Sequence, residues 1–243
     1  ADGCYNKQSG RRISACVPMH TFGFPVHLNA LLAVCNKWQV PVVEDAAESL
    51  GSYYHGQHTG SFGLLGAFSF NGNKIVTCGG GGAIVSSNPE LAARGKHLTT
   101  TAKQPHPYEY FHDETGFNYR MPNLNAALAC AQLEQLDGFL KSKRSLAENY
   151  AAYFSGRGIH FRTELPGTRA NYWLMCVELE NRKDRDAFLK ETNDRKVMTQ
   201  PIWQLMFRLP MYRHCYYDRQ LNAAYLEERI VNIPSSVRDA DVL

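Results

Sequence analysis

The chain has 243 residues, 44% hydrophobic and 20% charged, the balance of a globular protein with room for one large core or two smaller ones. A formal net charge of +3, spread along the chain without a dense Lys/Arg stripe, argues against a nucleic-acid partner. No run of about 18 apolar residues suggests a membrane span, and the opening ADGCYNKQSGRR lacks the apolar core of a secretory signal, so a cytoplasmic protein is expected.

Leu28, Leu31, Leu32 and Cys35 fall at i, i+3, i+4 and i+7, which predicts one face of a helix ending near Trp38. The apolar run Val40-Pro41-Val42-Val43 reads as a buried strand, and Glu44-Asp45-Ala46-Ala47-Glu48 follows it. Gly66 to Phe70 reads as a second strand and Ala83-Ile84-Val85 as a third. Asn88 caps another helix, with Pro89 at the tolerated first helical position. Strands alternating with helices predict an α/β layer with a largely parallel sheet. His97 to His112, rich in Thr, Pro, Tyr and His, reads as a long loop of the kind that often carries function.

From Asn123 to Phe154 the pattern is helical almost throughout. Leu124, Leu128, Leu133 and Leu136 form one apolar stripe, Leu146, Tyr150 and Tyr153 a second, and Gly156 and Gly158 end the run. Tyr172 to Leu179 reads as a strand, Asn181 to Arg195 as an exposed helix and Val197 to Trp203 as an extended piece. A boundary is therefore expected near residue 155, between a domain over 1–155 and a smaller α/β domain over 156–243. The aromatic and Met residues around Trp203 to Tyr217 read as small-domain core and dimer surface.

Seven cysteines occur singly, without a CxxC pair, and Cys35, Cys130 and Cys176 sit inside apolar segments. Reduced, mostly buried thiols explain them better than disulfides or zinc. The nine histidines show no metal-ligand spacing. His55 and His58, three apart on a Gly-rich connection, read as surface residues, and no metal site is expected.

The densest cluster of unusual residues runs from Ser69 to Cys78 and into Gly79–Gly82. A strand ends at Phe70, a polar turn presents the single lysine Lys74, and glycines that permit close backbone approach follow. By itself this is a hairpin turn with a solvated lysine. A phosphate-binding P-loop is excluded, because Asn73 precedes the lysine and Ile75 follows it. Asp45 lies at the carboxyl end of the expected buried strand, where open α/β sheets bind ligands. It suits a heteroaromatic ring with a protonatable nitrogen, and equally the cap of a following turn.

Together these segments resemble the DegT/DnrJ/StrS family of sugar aminotransferases. The matching residues are Glu44 to Glu48, Gly60-Ser61-Phe62-Gly63, Phe68-Ser69-Phe70, Lys74, the glycine run and Gly116 to Met121, in order along nearly the whole chain. The resemblance implies the type I fold of pyridoxal-phosphate-dependent transferases. Its parts would be a mostly parallel large domain, incomplete at its N-terminus, and a smaller α/β C-terminal domain.

The resemblance also implies roles. Lys74 is the Schiff-base lysine and general acid/base. Asp45 pairs with the pyridine nitrogen, and Ser69 donates its hydroxyl to the cofactor phosphate. Asn118 reaches that phosphate from the neighbouring subunit of a homodimer with shared active sites. Tyr119 and Arg120 are candidate substrate contacts, and Lys103 or His106 would meet a sugar-nucleotide diphosphate. Glu48 stands where many relatives have a glutamine bonded to the cofactor's phenolic oxygen; a carboxylate there must be protonated, turned away or bridged by water. Relatives also begin with a long segment that completes the cofactor pocket, so the chain is expected to be the later part of a longer protein.

The His97–Lys103 and Pro18–Gly23 segments look most like the branch that aminates UDP-linked 4-keto-6-deoxy-N-acetylhexosamines, in bacillosamine- and legionaminic-acid-type pathways, with glutamate as donor. Two alternatives differ in kind. One is a sugar dehydratase of the same fold, in which a histidine replaces the lysine. The other is a non-catalytic cofactor-binding regulator or inactive fragment.

Overall fold

A computed structural model describes residues 3–238. In chain order its helices and strands are α1 (Leu28–Lys37), β1 (Val43–Asp45), β2 (Tyr53–Tyr54), β3 (Gln57–His58), β4 (Leu65–Ser69), β5 (Gly82–Val85) and α2 (Pro89–Thr99), then α3 (Asn123–Glu134) and α4 (Leu136–Phe154). They continue with β6 (His160–Phe161), β7 (Thr168–Arg169), β8 (Met175–Glu178), α5 (Arg182–Asp194), β9 (Gln200–Pro201), α6 (Leu221–Glu227) and β10 (Ile230–Ile233). The chain divides into two compact units, Ala1–Leu140 with Glu164–Trp173, and Lys141–Thr163 with Leu174–Leu243. It therefore passes between units within α4, after Thr163 and after Trp173, rather than once near residue 155. Among the described residues no helix is long and apolar enough to cross a membrane.

In the first unit β1 pairs in parallel with β4, Asp45 opposite Ala67, and β5 folds back antiparallel on β4, Ser69 opposite Gly82. Bridges of Cys16 with Val42 and of Met19 with Asp45 lay the preceding segment parallel to β1. The strand expected at Val40–Val43 starts only at Val43, because Pro41 has no N–H to donate to a ladder. That shift makes Asp45 the last residue of β1. Asn88 caps α2 by accepting from the N–H groups of Glu90 and Leu91 at 2.9 and 3.2 Å. The helix runs on to Thr99, so the loop expected from His97 begins three residues later.

The long helical stretch breaks at Gln135 into α3 and α4. Leu124, Leu128 and Leu133 face outward, Leu124 with 87% exposure, and only Leu136 reaches the core of Phe70, Val76, Cys78 and Ala129. The rotation of α3 follows from Asn125, whose side-chain amide donates to Cys78 O at 2.5 Å, and it turns the small Ala129 inward. Its neighbour Cys130 is exposed as a result, whereas Cys35, Cys78 and Cys176 are buried; all seven thiols are free. His58 is half-buried rather than on the surface: its Nε2 accepts from the N–H of Gly51 at 2.8 Å.

The second unit is an antiparallel sheet in the order β6-β8-β10-β9, with Ile230 opposite Glu178 and Phe161 opposite Val177. Met175, Cys176, Val177, Ile230, Val231 and Ile233 form its buried layer, and burial pushes the Cys176 thiol up to about 12. Asn181 caps α5 through the N–H of Asp184 at 3.0 Å. Of the residues between Trp203 and Tyr217, expected as small-domain core and dimer surface, Met206, Met211 and Tyr216 are not core: each shows 60% or more of its surface. Two short 3-10 turns, Met206–Arg208 and Pro210–Tyr212, reverse the chain too often to gather these side chains on one face.

One buried carboxylate organises the first unit around the end of β1. Strand alternation sends Glu44 inward, with no exposed surface, while Asp45 turns the other way and is half-buried. Glu44 Oε2 accepts from the N–H of Gly60 at 2.8 Å and lies 3.0 Å from His20 Nε2. Its Oε1 accepts from the N–H groups of Phe62 and Gly63 at 2.6 and 2.7 Å. The N–H of Val26 donates to His20 Nδ1 at 3.2 Å, so the ring proton sits on Nε2 and points at Glu44. Burial by itself would raise the Glu44 carboxyl, but the hydrogen bonds from His20, Gly63, Gly60 and Phe62 outweigh it and hold the group below its ordinary 4.5. Glu44→Gln turns two of these donors toward an NH2 group, at a cost of about 2–5 kcal/mol at pH 7 by urea unfolding. A lowered folded pKa means a contribution that is complete above 4.5 and lost as pH falls through the folded value. The two proteins therefore converge in strongly acidic buffer.

Candidate active site

Asp45, Glu48 and Lys74 come together at the carboxyl end of β1. The turn after β1 is held by Asp45 Oδ1, which accepts from the N–H of Ala47 at 3.1 Å, and Glu48 follows on the same side. Glu48 is 8% exposed, its Oε2 accepts from the N–H of Phe22 at 2.7 Å, and its Oε1 lies 3.5 Å from Lys74 Nζ. The Glu48 carboxyl is thus not turned away from the lysine. Burial raises its pKa, and the Phe22 N–H and Lys74 only partly offset that, while the neighbouring Asp45 charge adds to the rise.

Lys74 leaves the chain in a turn closed by its own N–H on Asn71 O at 3.0 Å. Its Nζ sits 4.0 Å from the centroid of the Trp173 ring. Trp173 and its neighbour Asn171 are both buried, and sequence reasoning had assigned neither to the site. Asn171 Nδ2 donates to Glu48 O and Leu50 O at 2.8 and 2.9 Å, and its Oδ1 accepts from the N–H of Trp173 at 2.8 Å. The signal was in the chain: a polar Asn at the head of the apolar run Tyr172–Leu179 fits a strand poorly and a buried anchor well.

Ser69 ends β4, adjacent to β1 in the sheet, and its Oγ accepts from the N–H of Asn71 at 3.3 Å. Gly79 and Gly81, at φ +85° and +89°, turn the following loop back into β5. An amine, a carboxylate and a hydroxyl thus lie around the ends of two parallel strands. This donor set fits a cofactor carrying an aldehyde, a ring nitrogen and a phosphate.

The remaining expected residues lie elsewhere on the first unit. Asn118 is exposed and bridges Thr100, and none of its described contacts reaches Lys74. Tyr119, stacked on Phe117 at 5.2 Å, and Arg120 line a cleft of about 720 Å³ with Gly80–Gly82 and Lys96. Lys103 Nζ rests 4.0 Å from the Tyr110 ring. His106 Nδ1 accepts from the N–H groups of Tyr108 and Glu109, so its ring closes a turn. His97, Asp113 and Glu114 could reach one ion, but Arg94 already supplies a cation to Glu114.

The raised Glu48 pKa has a thermodynamic sign. A carboxyl that binds its proton more tightly when folded loses stability as pH rises from its ordinary 4.5 through the folded value. Glu48→Gln keeps an acceptor for Phe22 and removes that loss. The variant should gain stability over the original chain as pH rises above 4.5 and lose the advantage below it, in urea unfolding at a series of pH values.

The chain is 31% identical over 224 residues to the GDP-perosamine synthase of Escherichia coli O157:H7, matching 92% of this chain and 61% of that one. It is 32% identical over 180 residues to the dTDP-3-amino-3,4,6-trideoxy-alpha-D-glucose transaminase of Streptomyces venezuelae, over 73% of this chain and 47% of the relative. The chain therefore spans about half to three-fifths of the length of these curated relatives. Among solved structures, the aminotransferase TlmJ from Streptoalloteichus hindustanus superposes with a TM-score of 0.88 at 27% identity, over 97% of this chain and 65% of that one. These neighbours share the α/β type I fold of pyridoxal-phosphate-dependent transferases. With its family model matched over residues 7–241, the chain belongs to the DegT/DnrJ/EryC1/StrS aminotransferase family.

Proposed function

We propose that the protein transfers an amino group from glutamate to a nucleotide-linked 4-keto-6-deoxy sugar, with pyridoxal phosphate as cofactor. The observation that carries this reading is the meeting of Lys74, Glu48 and Asp45 at the end of β1. Pyridoxal phosphate supplies an electron sink for the carbon that loses its proton. Asp45 holds a proton on the ring nitrogen. Lys74 is the covalent anchor and carries the proton to and from the reacting carbon. Glu48, beside Lys74 Nζ, takes the place at the phenolic oxygen where many relatives carry an amide. Ser69 donates its hydroxyl to the phosphate, for its O–H has no partner among the described residues.

Asn118, exposed and far along the chain from Lys74, acts on the phosphate of a partner's site in a homodimer. Tyr119, Arg120 and Lys103 face the sugar nucleotide. The identities to a GDP-linked and a dTDP-linked amino-sugar enzyme support a nucleotide sugar as acceptor. The UDP-linked N-acetylhexosamine branch rests on the His97–Lys103 and Pro18–Gly23 segments. Lys74, standing where the sibling dehydratases carry histidine, favours transfer over dehydration.

The test is product mass: the full-length protein is incubated with glutamate and a panel of GDP-, dTDP- and UDP-linked 4-keto sugars. Exchange of the keto oxygen for an amine, with glutamate consumed, is expected. A deoxygenated product with no glutamate consumed would reverse the assignment. Lys74→Ala should lower the rate by at least 10²–10⁴-fold, about the contribution of a general acid–base group, and abolish the near-visible absorbance of the loaded protein. Turnover by that variant at an unchanged rate would sink the reading.

A further inference from the structure

We propose that Trp173 is the positioning residue for Lys74, holding its amine against Glu48 through the face of the indole; this rests on the role of Lys74 given above. A lysine stem has four rotatable bonds, and the backbone of its turn does not by itself choose among the rotamers. Among the described residues, two groups meet the Lys74 amine. One is Glu48 Oε1, at 3.5 Å, which is longer than a normal hydrogen bond. The other is the Trp173 ring, whose centroid lies 4.0 Å from Nζ, inside the range of a cation–π contact.

The indole is itself fixed at both ends. Its Nε1–H donates to Asn73 O at 2.7 Å, the carbonyl directly before the lysine, so ring and lysine-bearing turn move together. Its backbone N–H donates to Asn171 Oδ1, and Asn171 is tied to Glu48 O, Leu50 O and Ser52 Oγ. Tyr172, at φ +52°, takes the left-handed conformation that non-glycine residues avoid, between the two anchors. A side chain needed only for bulk would require neither the bond to Asn73 nor a ring face under the amine. The same segment therefore fixes Glu48 from behind and Lys74 from beside, and sets their separation.

Two substitutions separate ring from bulk. Trp173→Met fills much of the volume without a π face, and Trp173→Phe restores a face. In the cofactor-free chain, Lys74 is labelled with an acylating reagent and followed by peptide mass spectrometry, with Lys96 and Lys190 as internal references. The Met variant should label Lys74 about tenfold faster, the loss of roughly one cation–π contact, with the reference lysines unchanged. The Phe variant should return most of the way. In the loaded full-length protein the Met variant should lose kcat with KM for the amino donor within about twofold, the mark of lost positioning rather than lost binding.

Equal labelling of Lys74 in the original, Met and Phe proteins would overturn the proposal, as would an equal rise in Met and Phe. Trp173→Leu repeats the test should the Met variant fail to fold. Failure of the original full-length protein to take up pyridoxal phosphate would refute the proposed function, while the labelling result would still decide the contact.

Discussion

A carboxylate with no exposed surface is tolerable only if both oxygens are fully hydrogen-bonded, and that demand on Glu44 shapes the first unit. Its four donors come from His20 and from the backbone of Gly60, Phe62 and Gly63. Two stretches far apart in sequence, one around His20 and one at Gly60–Gly63, are therefore locked to the middle residue of a three-residue strand. Gly60 can supply its N–H only at φ +84° and close against Phe68, a place where a side chain would collide. Because Glu44 fixes β1 from inside, its neighbour Asp45 is delivered to the opposite side at the strand end. The placement of Asp45 at the strand end thus follows from a residue that faces the other way.

The second layer of fixing runs through residues 170–173, which return to the first unit late in the chain. Asn171, wholly enclosed, bonds to Glu48 and Leu50 with its amide and to Trp173 with its carbonyl. Gly23 lies against the same Asn171 side chain, with no room for a Cβ, and Ser52 Oγ donates to Gly23 O at 2.6 Å. Phe22, next to Gly23, gives its N–H to Glu48 from φ +61°. A strained backbone on one flank and a buried amide on the other thus hold one acidic side chain beside Lys74.

What could be read from the sequence follows from how local each interaction is. The cap of α2, the end of β1 at Asp45 and the turn that bears Lys74 depend on neighbours within a few residues, and their placement agrees with the structure. Glu44 and the Gly60–Gly63 run were visible as separate matching pieces; that they are one interaction needed the fold. Helical period identified Leu124, Leu128 and Leu133 as one stripe, but period cannot say whether a stripe faces the core of its own chain. The side-chain amide of Asn125 decides that, through a bond to Cys78 some fifty positions earlier. Trp173 was out of reach for the same reason: the lysine-bearing turn it meets, at Asn73 and Lys74, is about a hundred residues away in sequence.

Glu44 and Glu48, four positions apart, show how one scaffold makes two kinds of acid. Both are buried, and burial alone drives both toward the protonated form. Glu44 meets four donors, which reverses the effect and leaves a fixed anion suited only to structure. Glu48 has one backbone donor, a lysine at 3.5 Å and the charge of Asp45 nearby, so its proton affinity stays raised. The under-satisfied carboxyl is the one beside the amine. A group able to give up or keep a proton must have bonding capacity to spare, and in this fold that spare capacity is found next to Lys74 rather than in the core beneath it.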